Sequence, residues 1–320
     1  MTRLGYQIPN FTYPGVAPAD IFPVVVDQAK AAETAGFDRV LLMDHFYQLP
    51  GIGDPDDPMF ECYTALAALA QHTERVGLSS LVTGNTYRNP AVLAKTVTTL
   101  DHVSNGRAGL GIGSGWFELE HNAFGIPFET FTERFEKLEE ALNIIIPMLG
   151  DERPTLDGEH YQVTDAINSP PPVSKIPVMI GGAGEKKTLR MVAQYADESN
   201  LICGVDEVPR KLDVLAAHCD RLGRDRSEIS VTKLVMMALG RTHEQAVESL
   251  NAYADNHGWP REAVEMMTPF LTVGDPDTIG EEITDLMAAG LDGIIINLPA
   301  VGHDPEMIAL AGEVCGAAIG

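Results

Sequence analysis

Positive charge is what this chain has least of. Its 320 residues carry 22 Lys+Arg against 46 Asp+Glu, a net charge of −24 with neutral histidines. A surface of that sign repels phosphate backbones and anionic bilayers, so neither nucleic acid nor membrane is an expected partner. Cysteine is scarce as well: Cys62, Cys203, Cys219 and Cys315 form no CxxC pair. That spacing indicates neither a zinc site nor a redox dithiol, and no metal is expected. The opening stretch MTRLGYQIPNF lacks the apolar centre of a signal peptide, and no apolar run approaches transmembrane length. With four scattered cysteines suited to a reducing compartment, a cytoplasmic location is expected. Internal repeats and low-complexity tracts are missing too.

Glycine and proline, by contrast, are plentiful at 30 and 21 residues, and they separate short apolar runs from helical patterns. The runs RLGYQI (3–8), RVLLMD (39–44), VGLSSLVTG (76–84), RAGLGIG (107–113), PVMIGG (177–182), ESNLIC (198–203), ISVTKLVMMALG (229–240) and DGIIINLP (292–299) read as strands. Helices are predicted over about 19–35, 62–73, 90–103, 185–195, 207–222, 242–257, 276–289 and 304–318. Strands apolar on both faces and followed by helices describe a parallel sheet. Eight such units in one domain favour a closed (β/α)8 TIM barrel over an open doubly wound sheet. The domain spans 1–320, with one insertion at about 114–176 that holds a charged helix (about 129–149) and the loop INSPPPVSKIP. An insertion of that size covers an active face or makes an oligomer contact, and a homodimer is expected.

Catalytic groups of such a barrel lie at the C-terminal ends of its strands. The rule selects Gln7 and Asn10, Asp44 and His45, Val82 to Tyr87, Ser114 to Glu118, Gly181 to Gly184, Asn200 and Cys203, and Asn297. In MDHFYQLPG, Asp44 and His45 close an apolar strand. Histidine suits proton transfer near neutrality, and an adjacent carboxylate can orient it; a capping pair is the structural alternative. GIGSGWFELEHNAFG (111–125) fails as a dinucleotide motif, because the third glycine is missing. Trp116, Phe117, Glu118 and Glu120 read instead as the wall of a flat-ligand pocket or as plain packing. In MIGGAGEKKTLR, Gly181, Gly182, Ala183 and Gly184 precede a helix, whose N-terminus favours an anion. Glycines also close ordinary βα corners, so two readings of this turn stay open.

Together these segments resemble the bacterial-luciferase-like oxidoreductases, and within them the branch that uses coenzyme F420. The resemblance runs through RLGYQIPNF, AGFDRVLLMDHF, LVTGNTYRNPAVLAKTVTTLDHVSNGRAGLGIGSGW, IGGAGEKKTLRMVAQYAD and GLDGIIINLP, which cover most of the chain. It implies an enzyme with a flavin or deazaflavin ring in the barrel mouth and its phosphate on Gly182, Ala183 and Gly184. It further implies a non-proline cis peptide within Leu81, Val82 and Thr83, and Asp44 and His45 beside the reactive edge. On that basis His45 exchanges the substrate proton and Asp44 orients it. Thr83, Asn85 and Asn200 hydrogen-bond the cofactor, and Phe46, Tyr47, Met59, Phe60 and Trp116 line the substrate side.

The reaction implied is hydride transfer between coenzyme F420, a deazaflavin, and a small organic substrate. Sugar-phosphate dehydrogenases of the family place a Glu base where Trp116 stands, and no basic cluster for a phosphate is evident. An enone, ketone, alcohol or imine is therefore expected. An FMN-dependent monooxygenase using reduced flavin and O2 is the alternative. Arg88, Lys186, Lys187 and Arg190 are candidate partners for an anionic cofactor tail.

Overall fold

The computed structural model describes residues 2–260 and 271–320, together with 262, 264 and 268. Eight parallel strands close on themselves. They are β1 (Leu4–Ile8), β2 (Arg39–Leu42), β3 (Gly77–Ser80), β5 (Ala108–Gly113), β8 (Val178–Gly181), β9 (Glu198–Leu201), β10 (Ser230–Leu239) and β12 (Gly293–Asn297). The order β10-β12-β1-β2-β3-β5-β8-β9 is sealed by the β9–β10 pairing. β4 (Thr83–Gly84) resumes the path of β3 beside β5, after the step at residues 81 and 82. The barrel expected from the sequence is thus observed.

The helices follow their local signals. In α3 (Pro90–Val103), Pro90 opens the first turn, and the Asn89 side chain accepts from Ala91 N and Val92 N. In α5 (Phe131–Leu149), Thr130 and Glu133 form a capping box, and Phe135, Leu138, Leu142 and Ile145 turn to the core. Between the barrel and its helices lies the main apolar core, while Leu41, Leu81, Met179 and Ile295 fill the lumen separately. Asp101 pins the Pro-rich loop to α3, accepting from Val173 N (2.7 Å), Ser174 N (3.0 Å) and Ser174 Oγ (2.7 Å).

Four features depart from the sequence reading. The helix predicted over 62–73 ends at Leu69 as α2 (Cys62–Leu69), where Arg107 donates to the carbonyls of Ala70 (2.9 Å) and Thr73 (3.0 Å) and turns the chain. A four-residue strand, β11 (Leu271–Gly274), joins the far half of β10 and is absent from the strands expected from the sequence. Within the insertion, α4 (Glu118–Phe124) and the hairpin of β6 (Leu156–Asp157) and β7 (Gln162–Val163) were not expected. They are too short for periodicity to reveal. Helix α6 (Thr188–Tyr195) starts three residues later than predicted, after a turn at Glu185–Lys187. Further helices are α1 (Ile21–Thr34), α7 (Val208–Leu222), α8 (His243–Asn256), α9 (Pro276–Ala288) and α10 (Pro305–Ile319).

The peptide bond Leu81–Val82 is cis, which identifies the bond within the expected segment. The Val82 side chain fills space that three glycines leave open. A Cβ at Gly181 would meet both Val82 methyls at 3.1 Å, and one at Gly113 would meet Cγ2 at 3.3 Å. At Gly111 it would stand 2.2 Å from the Ser80 carbonyl oxygen and 3.0 Å from Val82 Cγ1. Gly111 and Gly113 of GIGSG are glycines because of this approach. Gly111→Ala should lower the unfolding free energy by about 1–3 kcal/mol, the usual effect of overfilling a packed interior. Denaturant titration reads this, and an unchanged midpoint would refute the packing account.

Candidate active site

His45 lies just past the end of β2, and its partner comes from α4. Imidazole Nδ1 is 2.8 Å from Glu120 Oε2. The same carboxylate accepts from Tyr87 OH at 2.6 Å, Tyr47 N at 2.8 Å and Phe46 N. Glu120 is fully buried. Burial pushes its carboxyl up, but His45, Tyr87 and the Tyr47 N–H outweigh that and hold it below the usual glutamate value. Tyr87 is driven the other way, first by burial and then by Glu120, so its phenol stays protonated and donates.

Rings close around this cluster. The His45 ring meets Trp116 and Phe117 edge-on, each at 5.8 Å between centroids, and Trp116 stacks on Phe117 at 5.1 Å. Phe46 sits between Tyr87 (4.9 Å) and Phe124 (4.7 Å), and Tyr47 also packs on Phe124. Trp116 keeps 59% of its surface exposed, so one of its faces is open to the mouth. His45 Nε2 bonds to no other group among the described residues.

Asp44 does not orient His45, contrary to expectation. Both of its oxygens are held by Arg88, at 2.5 and 3.0 Å, and Arg88 also reaches Glu61 at 2.6 Å. The neighbouring His45 turns to Glu120 instead, so the two adjacent side chains have different partners. Burial raises the Asp44 carboxyl above its ordinary value, and the guanidinium opposes it. Burial alone would lower Arg88, but Asp44 more than reverses this and drives it up. Beneath lies Thr83, whose hydroxyl is 2.5 Å from Tyr63 OH and 3.1 Å from Ser80 Oγ.

The turn after β8 has the form of an anion cradle. Gly182 has φ +118°, a conformation that L side chains rarely adopt, and its N–H is taken by Asn200 O at 2.9 Å. The N–H groups of Ala183, Gly184 and Glu185 donate to nothing among the described residues. A Cβ on Gly184 would come within 2.9 Å of Thr188 Oγ1, so this face must stay bare. The Glu185 carboxylate is drawn away by Lys211 (2.9 Å) and Arg210 (3.0 Å). Consecutive free N–H groups of this kind form a nest that suits a phosphate. The helix N-terminus itself stands back at Thr188, so the turn and not the helix presents the donors.

Other expected residues fall elsewhere. Phe60 packs on Phe11 (4.9 Å) and Phe22 (5.8 Å), with Met59 against the same core, so neither forms the wall around His45. Leu81 turns into the lumen, and Asn200 Nδ2 donates to Thr232 Oγ1 at 3.0 Å. Asn85 is buried against the Tyr161 side chain of the insertion. Below the mouth Asn297 donates to Gln7 (2.6 Å), and Asn10 reaches Tyr253 OH (3.0 Å). Of the tail candidates, Arg88 is committed to Asp44, Arg190 pairs with Glu139 at 2.7 Å, and Lys187 lies over Phe131 and Phe135. Lys186 alone of the four is exposed with no partner among the described residues. A separate cavity of about 370 Å³, lined by Tyr13, Tyr253, His257 and His303, touches none of the groups around His45.

Residues 2–293 match the family described as luciferase-like monooxygenase. The chain belongs to that family, and it is an enzyme of it. Among its relatives is an F420-dependent glucose-6-phosphate dehydrogenase of Microbacterium testaceum (strain StLB037), 28% identical over 88% of each chain. Another is the pyrimidine monooxygenase RutA of Acinetobacter baylyi (strain ATCC 33305 / BD413 / ADP1), 27% identical over 88% of this chain and 76% of that one. In fold it matches an F420-dependent secondary alcohol dehydrogenase solved with an F420–acetone adduct, at TM-score 0.81, 20% identity and coverage of 100% and 99%.

Glu120 was read only as part of a wall. The available signal was its spacing from Glu118: two positions on a helix turn a side chain by roughly 200°, so one of the pair faces inward. In the structure Glu118 is exposed and Glu120 is buried. Because Asp44 is equally enclosed, Arg88→Ala should destabilise the protein by about 3–5 kcal/mol, the effect of stranding a buried charge. Thermal unfolding tests this. Loss of less than a kilocalorie would mean that water or another group takes over the carboxylate.

Proposed function

We propose that this enzyme transfers a hydride between coenzyme F420 and a small, uncharged organic substrate such as an enone, ketone, alcohol or imine. The observation that carries the reading is the pairing of an unengaged imidazole nitrogen on His45 with a bare N–H nest at Ala183–Glu185. They follow β2 and β8, and Val82 lies between them in the strand order. The nest would hold the cofactor phosphate. Val82, Thr83 and Asn200 would border the ring. A deazaflavin bound there supplies a two-electron carrier that reacts poorly with oxygen.

The chain's own part is orientation and proton handling. Nε2 of His45 gives or takes the proton at the reacting oxygen or nitrogen of the substrate. The open face of Trp116 offers an apolar wall, and Phe117 behind it keeps water from that side of the imidazole. Relatives named for F420 support the cofactor. Those named for glucose 6-phosphate do not carry over in substrate, because a phosphate dianion needs free cations near the mouth. Arg88 is paired, and Arg134 is spent on carbonyls of Gly115 and Glu129 and on the Phe128 ring.

Titration of the purified protein with F420 and with FMN tests the cofactor, followed by absorbance and fluorescence. Micromolar or tighter F420 binding is expected, and tight FMN binding without F420 binding would overturn the assignment. Gly182→Val should weaken F420 at least tenfold in a folded protein, since valine cannot hold the nest and each N–H to an anion contributes roughly 1.5–3 kcal/mol.

His45→Asn should retain cofactor affinity while single-turnover hydride transfer falls by about 10²–10⁴-fold, the range for a lost general acid or base. A rate within a few-fold of wild type, with a lowered melting temperature, would make His45 a scaffold residue.

A further inference from the structure

The carboxylate of Glu120 has a division of labour between its two oxygens. Oε1 takes the backbone N–H groups of Phe46 and Tyr47, while Oε2 faces the His45 ring and the Tyr87 hydroxyl. An ionised carboxylate only accepts, so Nδ1 of His45 must carry a hydrogen. The second nitrogen is then left with a lone pair toward the mouth. Asp44, the other carboxylate nearby, cannot compete, because Arg88 and Thr83 hold it.

We propose that Glu120 is the positioning residue of the reaction: it fixes His45 as the Nδ1–H tautomer and so makes Nε2 the atom that exchanges the substrate proton. The assignment rests on the hydride-transfer reading above. In the oxidative direction the substrate O–H bond breaks, the Nε2–H bond forms, and the hydride leaves the adjacent carbon for the bound deazaflavin. The resulting imidazolium keeps its charge beside the buried carboxylate, with Tyr87 still donating. In reduction the same proton returns from Nε2. Phe46, packed between Tyr87 and Phe124, screens the carboxylate from water and keeps the contact short of competition.

The substitution Glu120→Gln discriminates sharply. The two backbone donors force the amide oxygen into the Oε1 position, which leaves the NH2 group facing Nδ1. An amide donor there requires the Nε2–H tautomer, with no lone pair toward the mouth. Tyr87→Phe removes a donor without adding one, so it should leave the tautomer unchanged.

The experiment is long-range ¹H–¹⁵N correlation of histidine-labelled protein without cofactor, with the His45 signals assigned from His45→Asn. Wild type and Tyr87→Phe should show Nδ1–H at His45, and Glu120→Gln should show Nε2–H. Hydride transfer in Glu120→Gln should fall by about 10²–10⁴-fold with F420 affinity within threefold of wild type. An Nε2–H tautomer in wild type overturns the proposal, whatever the fate of the variant. So does a tautomer switch in Glu120→Gln that leaves turnover within threefold. Failure of F420 to bind wild type would instead sink the functional reading, since the tautomer is read in its absence.

Discussion

A carboxylate can be buried only where donors or a cation replace its water, and this acidic chain buries several. Three of them find their partners at one strand. Arg39, at the start of β2, holds Glu198 at 2.7 Å at the lower end of the barrel. Beyond the other end of β2, Asp44 takes Arg88 and His45 takes Glu120. Two adjacent residues therefore enter two different buried contacts. The Asp44 pair fastens the loop after β4 to β2. The Glu120 pair fastens the insertion to the same point, through a helix of only seven residues. Removing Arg88 or His45 would leave a buried carboxylate short of a partner.

Scarcity of cations then shapes what the mouth can accept. With 22 basic residues against 46 acidic ones, Arg88, Arg190 and Lys211 are already engaged, and Lys186 stands exposed. Beside it an anion is offered backbone: the bare N–H groups after β8, whose partial charge needs no lysine. The surroundings of His45 are built from rings instead. Trp116 and Phe117 offer stacking surface beside one imidazole nitrogen. The family spans F420-named dehydrogenases and monooxygenases, so such local chemistry, and not the barrel, separates their substrates.

The fold was legible because its signals are repeated and local. Apolar runs followed by capped helices give the barrel order, and α3 begins and ends where Pro90 and the apolar period say it should. Short elements were not legible. β11, α4 and the β6–β7 hairpin hold too few residues for a period, and β11 exists only because β10 offers it an edge. The glycines of GIGSG were visible, but their purpose was not: Gly111 and Gly113 are bare because Ser80 and Val82, about thirty positions earlier, occupy their space.

The sequence alone determined which residues stand at strand ends, and with them His45, Trp116 and the glycine turn after β8. Those follow from chain order, since a parallel strand presents its C-terminal end to one face. Only the tertiary structure decided who touches whom. Adjacency in the sequence suggested that Asp44 serves His45, whereas Arg88 takes Asp44 and a glutamate 75 positions away fills the place. Partnership between charged groups is a matter of distance and direction in space, which no spacing along a single chain encodes.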